Sequence, residues 1–122
     1  LVEQIADFNF VLLTSPEVSR IRIAALNNEK LTTFEQEQYT AWLRILERQS
    51  ELAFVQYQAG IIGEELLTRT LVPFIAHIMT SALARSIWED NLRYITTLFG
   101  SPREFEVHIN SLVNGSLALQ TK

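Results

Sequence analysis

A chain of 122 residues, 48% of them apolar and including seven Phe, two Trp and three Tyr, is the size of one domain and can bury a core of its own, which excludes a disordered chain. Its formal charge of −4 comes from 14 acidic and 10 basic residues scattered along the chain, so neither the basic footprint of a nucleic-acid binder nor a basic membrane-surface helix is present. The absence of cysteine excludes disulfides and thiolate zinc sites, and no apolar run reaches the roughly 18 residues that a membrane span needs.

The patterns are helical throughout, with almost no strand-like alternation. Residues 1–13 place Val2, Ile5, Phe8 and Leu12 at helical spacing, and the pattern is already running at Leu1, so an upstream continuation is expected. The stretch "TSPEVSRIRIAAL" opens a short helix with Ser15 as cap, Pro16 at the first helical position and Glu17 in the first turn. Proline loses nothing there, because its missing N–H has no intrahelical partner at that position. Val18, Ile21 and Ala25 form its inner stripe, and "NNEK" closes it.

The longest element is predicted over residues 33–59, capped by Thr32 or Thr33, with Glu35 and Glu37 at the positive end of the helix dipole and Gly60 as the stop. Phe34, Ala41, Ile45, Leu52 and Ala59 share one line of this helix, and Tyr39, Leu46, Ala53 and Tyr57 share a second, with Trp42 between them. Gln36, Glu37, Thr40, Arg44, Glu47, Arg48 and Glu51 crowd the opposite side. An apolar arc wider than half the circumference predicts a central helix with partners on two sides.

A very short turn leads to "GEELLTRTLVPFIAHIM", which must therefore lie antiparallel to the long helix. Leu67, Leu71, Phe74 and Ile78 are its inner face, and Pro73, inside the pattern, is expected to kink it. The next helix, "TSALARSIWEDNLRYITTLF", turns Ala84, Ile87, Trp88, Leu92, Ile95 and Phe99 inward. "GSPREFEVHINSLV" repeats the earlier start signal, with Ser101 as cap and Pro102 opening a helix whose inner face is Phe105, Ile109, Leu112 and Val113. The prediction is an all-α fold of about six helices, an irregular bundle around a long central helix, as one domain over residues 1–113 with a frayed tail over 114–122.

Few residues carry candidate chemistry. Gln38, Gln49 and Gln56 fall inside the apolar arc, where a buried amide must be hydrogen-bonded. The favoured reading makes them packing pins between helices; the alternative makes Gln49, Gln56, Tyr57 and His77 the polar lining of a small-molecule pocket beside Pro73. Glu47 and Glu51 are one turn apart, but a di-iron bundle needs Glu-x-x-His pairs, and Phe occupies the position three before both His77 and His108. With Arg44 and Arg48 alongside, a solvated salt-bridge face is the plain reading. His77, on the apolar side of its helix, reads as a core histidine, and His108 as the surface partner of Glu104. Trp42 and Trp88 read as core anchors, and the four glycines punctuate helix ends and build no phosphate loop.

Four segments carry a resemblance: "ADFNFVLLTSPEVSRI" (6–21), "ELAFVQYQAGIIGEEL" (51–66), the Trp in "ARSIWEDN" (84–91) and "SPREFEVHI" (101–109). Through them the chain resembles a family of bacterial membrane-anchored proteins of unknown function, in which a short N-terminal membrane helix precedes a helical domain. The best motif is E-x-A-x-x-Q-Y-x-x-G, here Glu51, Ala53, Gln56-Tyr57 and Gly60. The chain departs from the pattern in carrying "TSALARS" where a Pro-Gly segment is usual and "RYITTL" (93–98) before the second Ser-Pro. The resemblance implies an upstream anchor and a domain on the cytoplasmic side, and supplies no catalytic residue and no cofactor. The functional expectation is a non-enzymatic module, with no metal or cofactor, acting through a protein partner or a second copy of itself.

Overall fold

The computed structural model describes residues 15–120, with side chains through residue 115. It is all-helical among these residues: α1 (Pro16–Leu26), α2 (Thr33–Gln58), α3 (Glu64–Thr80), α4 (Ala82–Phe99) and α5 (Glu104–Gln120). The helix expected over residues 1–13 lies outside the described residues, so five helices stand where about six were expected.

Local chemistry sets each boundary. α1 starts after Ser15 with Pro16 in its first turn, although the Ser15 side chain makes no capping bond. It ends in a Schellman motif: Glu29 N–H donates to Ala24 O at 2.9 Å and Asn28 N–H to Ala25 O at 3.1 Å, with Asn28 in the left-handed region at φ 56°. α2 opens on a full capping box, in which Thr32 accepts from Glu35 N–H and the Glu35 carboxylate accepts from Thr32 N–H. Arg20 joins the two starts, pairing with Glu17 at 2.5 Å and Glu35 at 2.6 Å. α2 closes on a second Schellman motif, Ile61 N–H to Gln56 O and Gly60 N–H to Tyr57 O, with Gly60 at φ 76°.

α2 is the single unbroken rod expected, packed against α1, α3 and α4, and joined to α5 by the Phe54–Phe105 ring contact. Its buried face differs from the expectation. Tyr39, Trp42, Leu43, Ser50, Ala53 and Phe54 are buried, whereas Phe34, Leu52 and Ala59 are exposed and Ala41 and Ile45 half-buried. The arc is wide enough to hold two stripes, and α3 docks on the one that carries Tyr39 and Ala53. The other faces away.

α3 runs through Pro73 without a break. Pro73 lies on the exposed face, so the Arg69 carbonyl that loses its donor can turn to water. Leu67, Leu71, Phe74 and Ile78 are all buried, as the spacing predicts. α3 and α4 bend by 105° at Ser81, which caps α4 through Ala84 N–H and is fully buried. The corner is clamped from α1: the Asn28 side chain donates to Thr80 O at 3.1 Å and accepts from Ala82 N–H at 2.8 Å. One amide thus serves the last carbonyl of α3 and the first N–H of α4. No single described helix is long and apolar enough to cross a membrane; α3 and α4 meet that test only when taken together across their bend.

Trp88 holds the far end of the core. It meets Phe74 of α3 edge-on at 5.5 Å and Phe105 of α5 at 6.4 Å, and donates its indole N–H to Asn110 at 3.0 Å. Phe99, expected to face inward, is exposed, because α4 outruns its neighbours there before Gly100, at φ 81°, ends it. α5 starts two residues later than the Ser-Pro signal predicts. Ser101 and Pro102 stay outside the helix, and Glu106 reaches back to the Arg103 guanidinium at 2.7 and 3.0 Å, fixing the entry at Glu104. The helix continues to Gln120, beyond the last apolar position that the sequence pattern assigns to it.

Asn28→Gly keeps the left-handed backbone and removes both clamp bonds. Urea unfolding should show a loss of about 1–2 kcal/mol with an unchanged m-value, and Asn28→Ala should lose about 1 kcal/mol more by forcing a Cβ into that conformation.

Candidate functional site

Two polar constellations are built into the described residues. The first sits where α2 crosses α3. Buried Tyr39 and His77 meet through the Tyr39 hydroxyl and His77 Nδ1 at 2.6 Å. Trp42 packs edge-on against the imidazole at 4.7 Å, and Arg22 of α1 lies over the Trp42 ring at 5.5 Å. Burial is the main cause that pushes His77 down to about 4, and the Arg22 charge adds to it. Burial likewise pushes Tyr39 up to about 12, partly offset by a hydrogen bond with the Ser81 side chain. Both groups are neutral near pH 7. With Tyr39 O–H donating to Nδ1, the imidazole proton resides on Nε2, and Ser81 O–H is free to donate to the Tyr39 oxygen while its lone pair caps Ala84. The Tyr39–His77 bond ties α2 to α3 within the core, which makes His77 the core histidine expected.

The second constellation is a cleft of about 720 Å³ between α2 and α4, lined by Thr40, Arg44, Glu47, Arg48, Glu51, Ile87, Asp90, Asn91 and Tyr94. Asn91 donates to Glu47 Oε1 at 2.9 Å across it. Burial first, and then the charges of Glu51 and Glu106, raise Glu47 above the usual carboxylate range, against the pull of Arg44 and Arg103. At the α5 end, Arg103 pairs with Glu51 at 3.0 Å and with Glu106, whose side chain is fully buried. The carboxylates are thus committed: Glu47 to Asn91, Glu51 and Glu106 to Arg103, Asp90 to Arg93. Among the described residues, no carboxylate lies within ion-pair distance of Arg44 or Arg48. The face that reads as plain solvated charge in the sequence is one wall of a cleft, because α4 passes over it.

The residues singled out in the sequence do not converge. Gln49 is exposed, so its role as an internal pin is corrected: it lies outside the stripe that α3 covers. Gln56 is half-buried and Tyr57 exposed; consecutive on one helix, they point about 100° apart. His77 bonds Tyr39, which precedes Gln56 by 17 positions, about 26 Å along the axis, so one pocket does not contain them all. Gln38 is half-buried, and its Oε1 has no partner among the described residues. Glu51 is the one member of the set that forms an ion pair, with Arg103 just before α5. His108 stacks on Phe54 at 5.1 Å, while Glu104 bonds Gln58 of α2. Among the described residues no group of three or more His, Asp or Glu side chains is placed to hold a metal ion.

Geometry defines the class as an all-α bundle with a polar α2–α4 cleft. Comparison with protein-family models, with curated proteins and with solved structures gave no match. The family resemblance therefore stands on the sequence motifs alone.

His77 binds its proton near the ordinary 6.5 in the unfolded chain but only near 4 when folded, so between these values the unfolded state holds more protons. Its contribution is complete above about pH 6.5 and is lost as pH falls toward 4, by about 3 kcal/mol in all. Urea unfolding across this range should show the difference between wild type and His77→Gln shrinking as pH falls; a difference independent of pH would contradict the assignment. Arg103→Ala strands the buried Glu106 carboxylate and should cost about 2–3 kcal/mol, less than a fully buried pair because Arg103 itself meets solvent. Glu106→Gln in the Arg103→Ala background should recover part of that loss.

Proposed function

We propose that this protein is a non-enzymatic helical module that works by presenting helix faces to a protein partner. The observation that carries this reading is the run of exposed apolar side chains on successive turns at the end of α2: Leu52 is 59% exposed and Val55 52%, and Ala59 continues the run, while Phe34, 66% exposed, lies on the same side about five turns earlier. A second row on α4 comprises Tyr94 and Leu98, with half-buried Ile87 at its base. Scattered exposed apolar residues are ordinary, but rows on successive helical turns are the pattern that helix-in-groove recognition uses. The resemblance to membrane-anchored proteins supports a module tethered at a membrane, on the cytoplasmic side. The small-molecule alternative draws less support, since Gln49, Gln56, Tyr57 and His77 lie apart.

A photo-crosslinking amino acid placed at Val55, and separately at Leu98, should give a discrete protein adduct in intact cells. The same probe at exposed Arg69, outside both rows, should give none. Equal, diffuse labelling at all three positions would contradict the reading.

A further inference from the structure

We infer that the outer face of α2 pairs antiparallel with the same face of a second copy of this chain. This inference rests on the reading above and names the partner. Phe34, Gln38, Ala41, Ile45, Arg48, Leu52, Val55 and Ala59 follow one another at spacings of four, three, four, three, four, three and four. That is the spacing of a two-stranded coiled-coil seam, with Gln38 and Arg48 as its polar positions, and it runs the length of α2. It lies roughly 150° around the helix from the stripe that packs on α3, which leaves it open at Phe34 and from Arg48 to Ala59. Phe34, Arg48, Leu52, Val55 and Ala59 are exposed, whereas Gln38, Ala41 and Ile45 between them are half-buried, with Gln38 Oε1 itself buried.

Size and charge select the second copy and its direction. Antiparallel pairing about the midpoint of the seam sets Phe34 against Ala59 of the other copy, Ala41 against Leu52, Gln38 against Val55 and Ile45 against Arg48. In two of these layers a large side chain thus meets a small one, and the aliphatic stem of Arg48 covers Ile45 while its guanidinium reaches water. Parallel pairing would set Phe34 on Phe34, leave Ala41 facing Ala41, and bring two Arg48 side chains together. The residues flanking the seam on the cleft side are Glu37, Arg44, Glu51 and Gln58. In the antiparallel pair Arg44 of each copy meets Glu51 of the other, which gives two opposite-charge contacts. Arg44 has no ion-pair partner among the described residues, and Glu51 uses one oxygen on Arg103, leaving the other free. Gln49 and Gln56 flank the seam on its other side, and at the edge of such an interface an amide is satisfied by water or by the second copy.

The test combines sedimentation equilibrium with directed crosslinking, which the absence of native cysteine makes clean. The chain should dimerise reversibly, and Leu52→Glu should weaken the dimer at least tenfold while leaving the circular dichroism and thermal midpoint of the monomer unchanged. On oxidation, a mixture of Ala41→Cys and Leu52→Cys chains should form the mixed disulfide, and neither chain alone should link to itself. Like residues are about 16 Å apart along the axis in the antiparallel pair, well beyond disulfide reach. A preference for self-linked Ala41→Cys dimers would overturn the antiparallel assignment. A strictly monomeric chain, or a Leu52→Glu chain that loses its fold, would overturn the pairing, the latter by showing that the seam is covered from within the chain. If the chain is monomeric while the Val55 probe still captures a different protein, self-pairing fails and the interaction-module reading stands.

Discussion

A helix of 26 residues is about 39 Å long, and in α2 that length carries one buried stripe from Tyr39 to Phe54. The other described helices are placed by that stripe. Gly60 turns the chain sharply, so α3 must return along α2 and lay Leu67, Leu71, Phe74 and Ile78 against it. Ser81 then bends the chain by 105°, which swings α4 across α2 and creates the cleft. α1 covers the Trp42 end and α5 the Phe54 end. Shortening the stripe at either end would remove the surface on which one of these two helices rests.

Polar groups decide which packing of this apolar material is adopted. A stripe of Trp, Leu, Ala and Phe could slide against α3 by one turn at modest cost, since volume-conserving rearrangements of a core are tolerated. A slide would part Tyr39 from His77 and Glu51 from Arg103. The first loss would leave two buried polar groups without partners, and the second would remove the ion pair that ties α2 to the start of α5. Asn28 adds a third constraint from a distance, tying the end of α1 to the α3–α4 corner. These are the pins that the sequence pattern seeks in its glutamines. They consist instead of Tyr, His and Arg-carboxylate contacts between residues far apart in the chain.

The helix inventory was readable because caps and stops are local chemistry: Thr32 with Glu35, Gly60, Gly100 and the Ser15-Pro16 start each act within a few residues. The inner faces of α1 and α3 were readable because each carries one narrow stripe. α2 was not, because its apolar arc is wide enough for two stripes, and the residues themselves do not say which one α3 covers. The pattern therefore assigns Leu52 and Ile45 to the core, and Gln49 with them. The second Ser-Pro start fails because Glu106, three residues on, takes Arg103 at the entry, and Glu51 from α2 holds the same guanidinium, a contact the local pattern does not show. His77 was legible as a core histidine from its apolar neighbours, but its partner Tyr39 lies 38 positions away. The cleft left almost no trace, because a row of alternating Arg and Glu looks the same whether water or another helix lies opposite.

Hydrogen–deuterium exchange resolved along α2 reads out whether that rod organises the bundle, because amides on its buried stripe should exchange only when the whole domain unfolds. Amides from Tyr39 through Phe54 should be the slowest in the protein and share one opening free energy, equal to that of global unfolding. Fast exchange over residues 47–54, or an opening free energy there well below the global value, would contradict this by showing that the rod does not hold the bundle together.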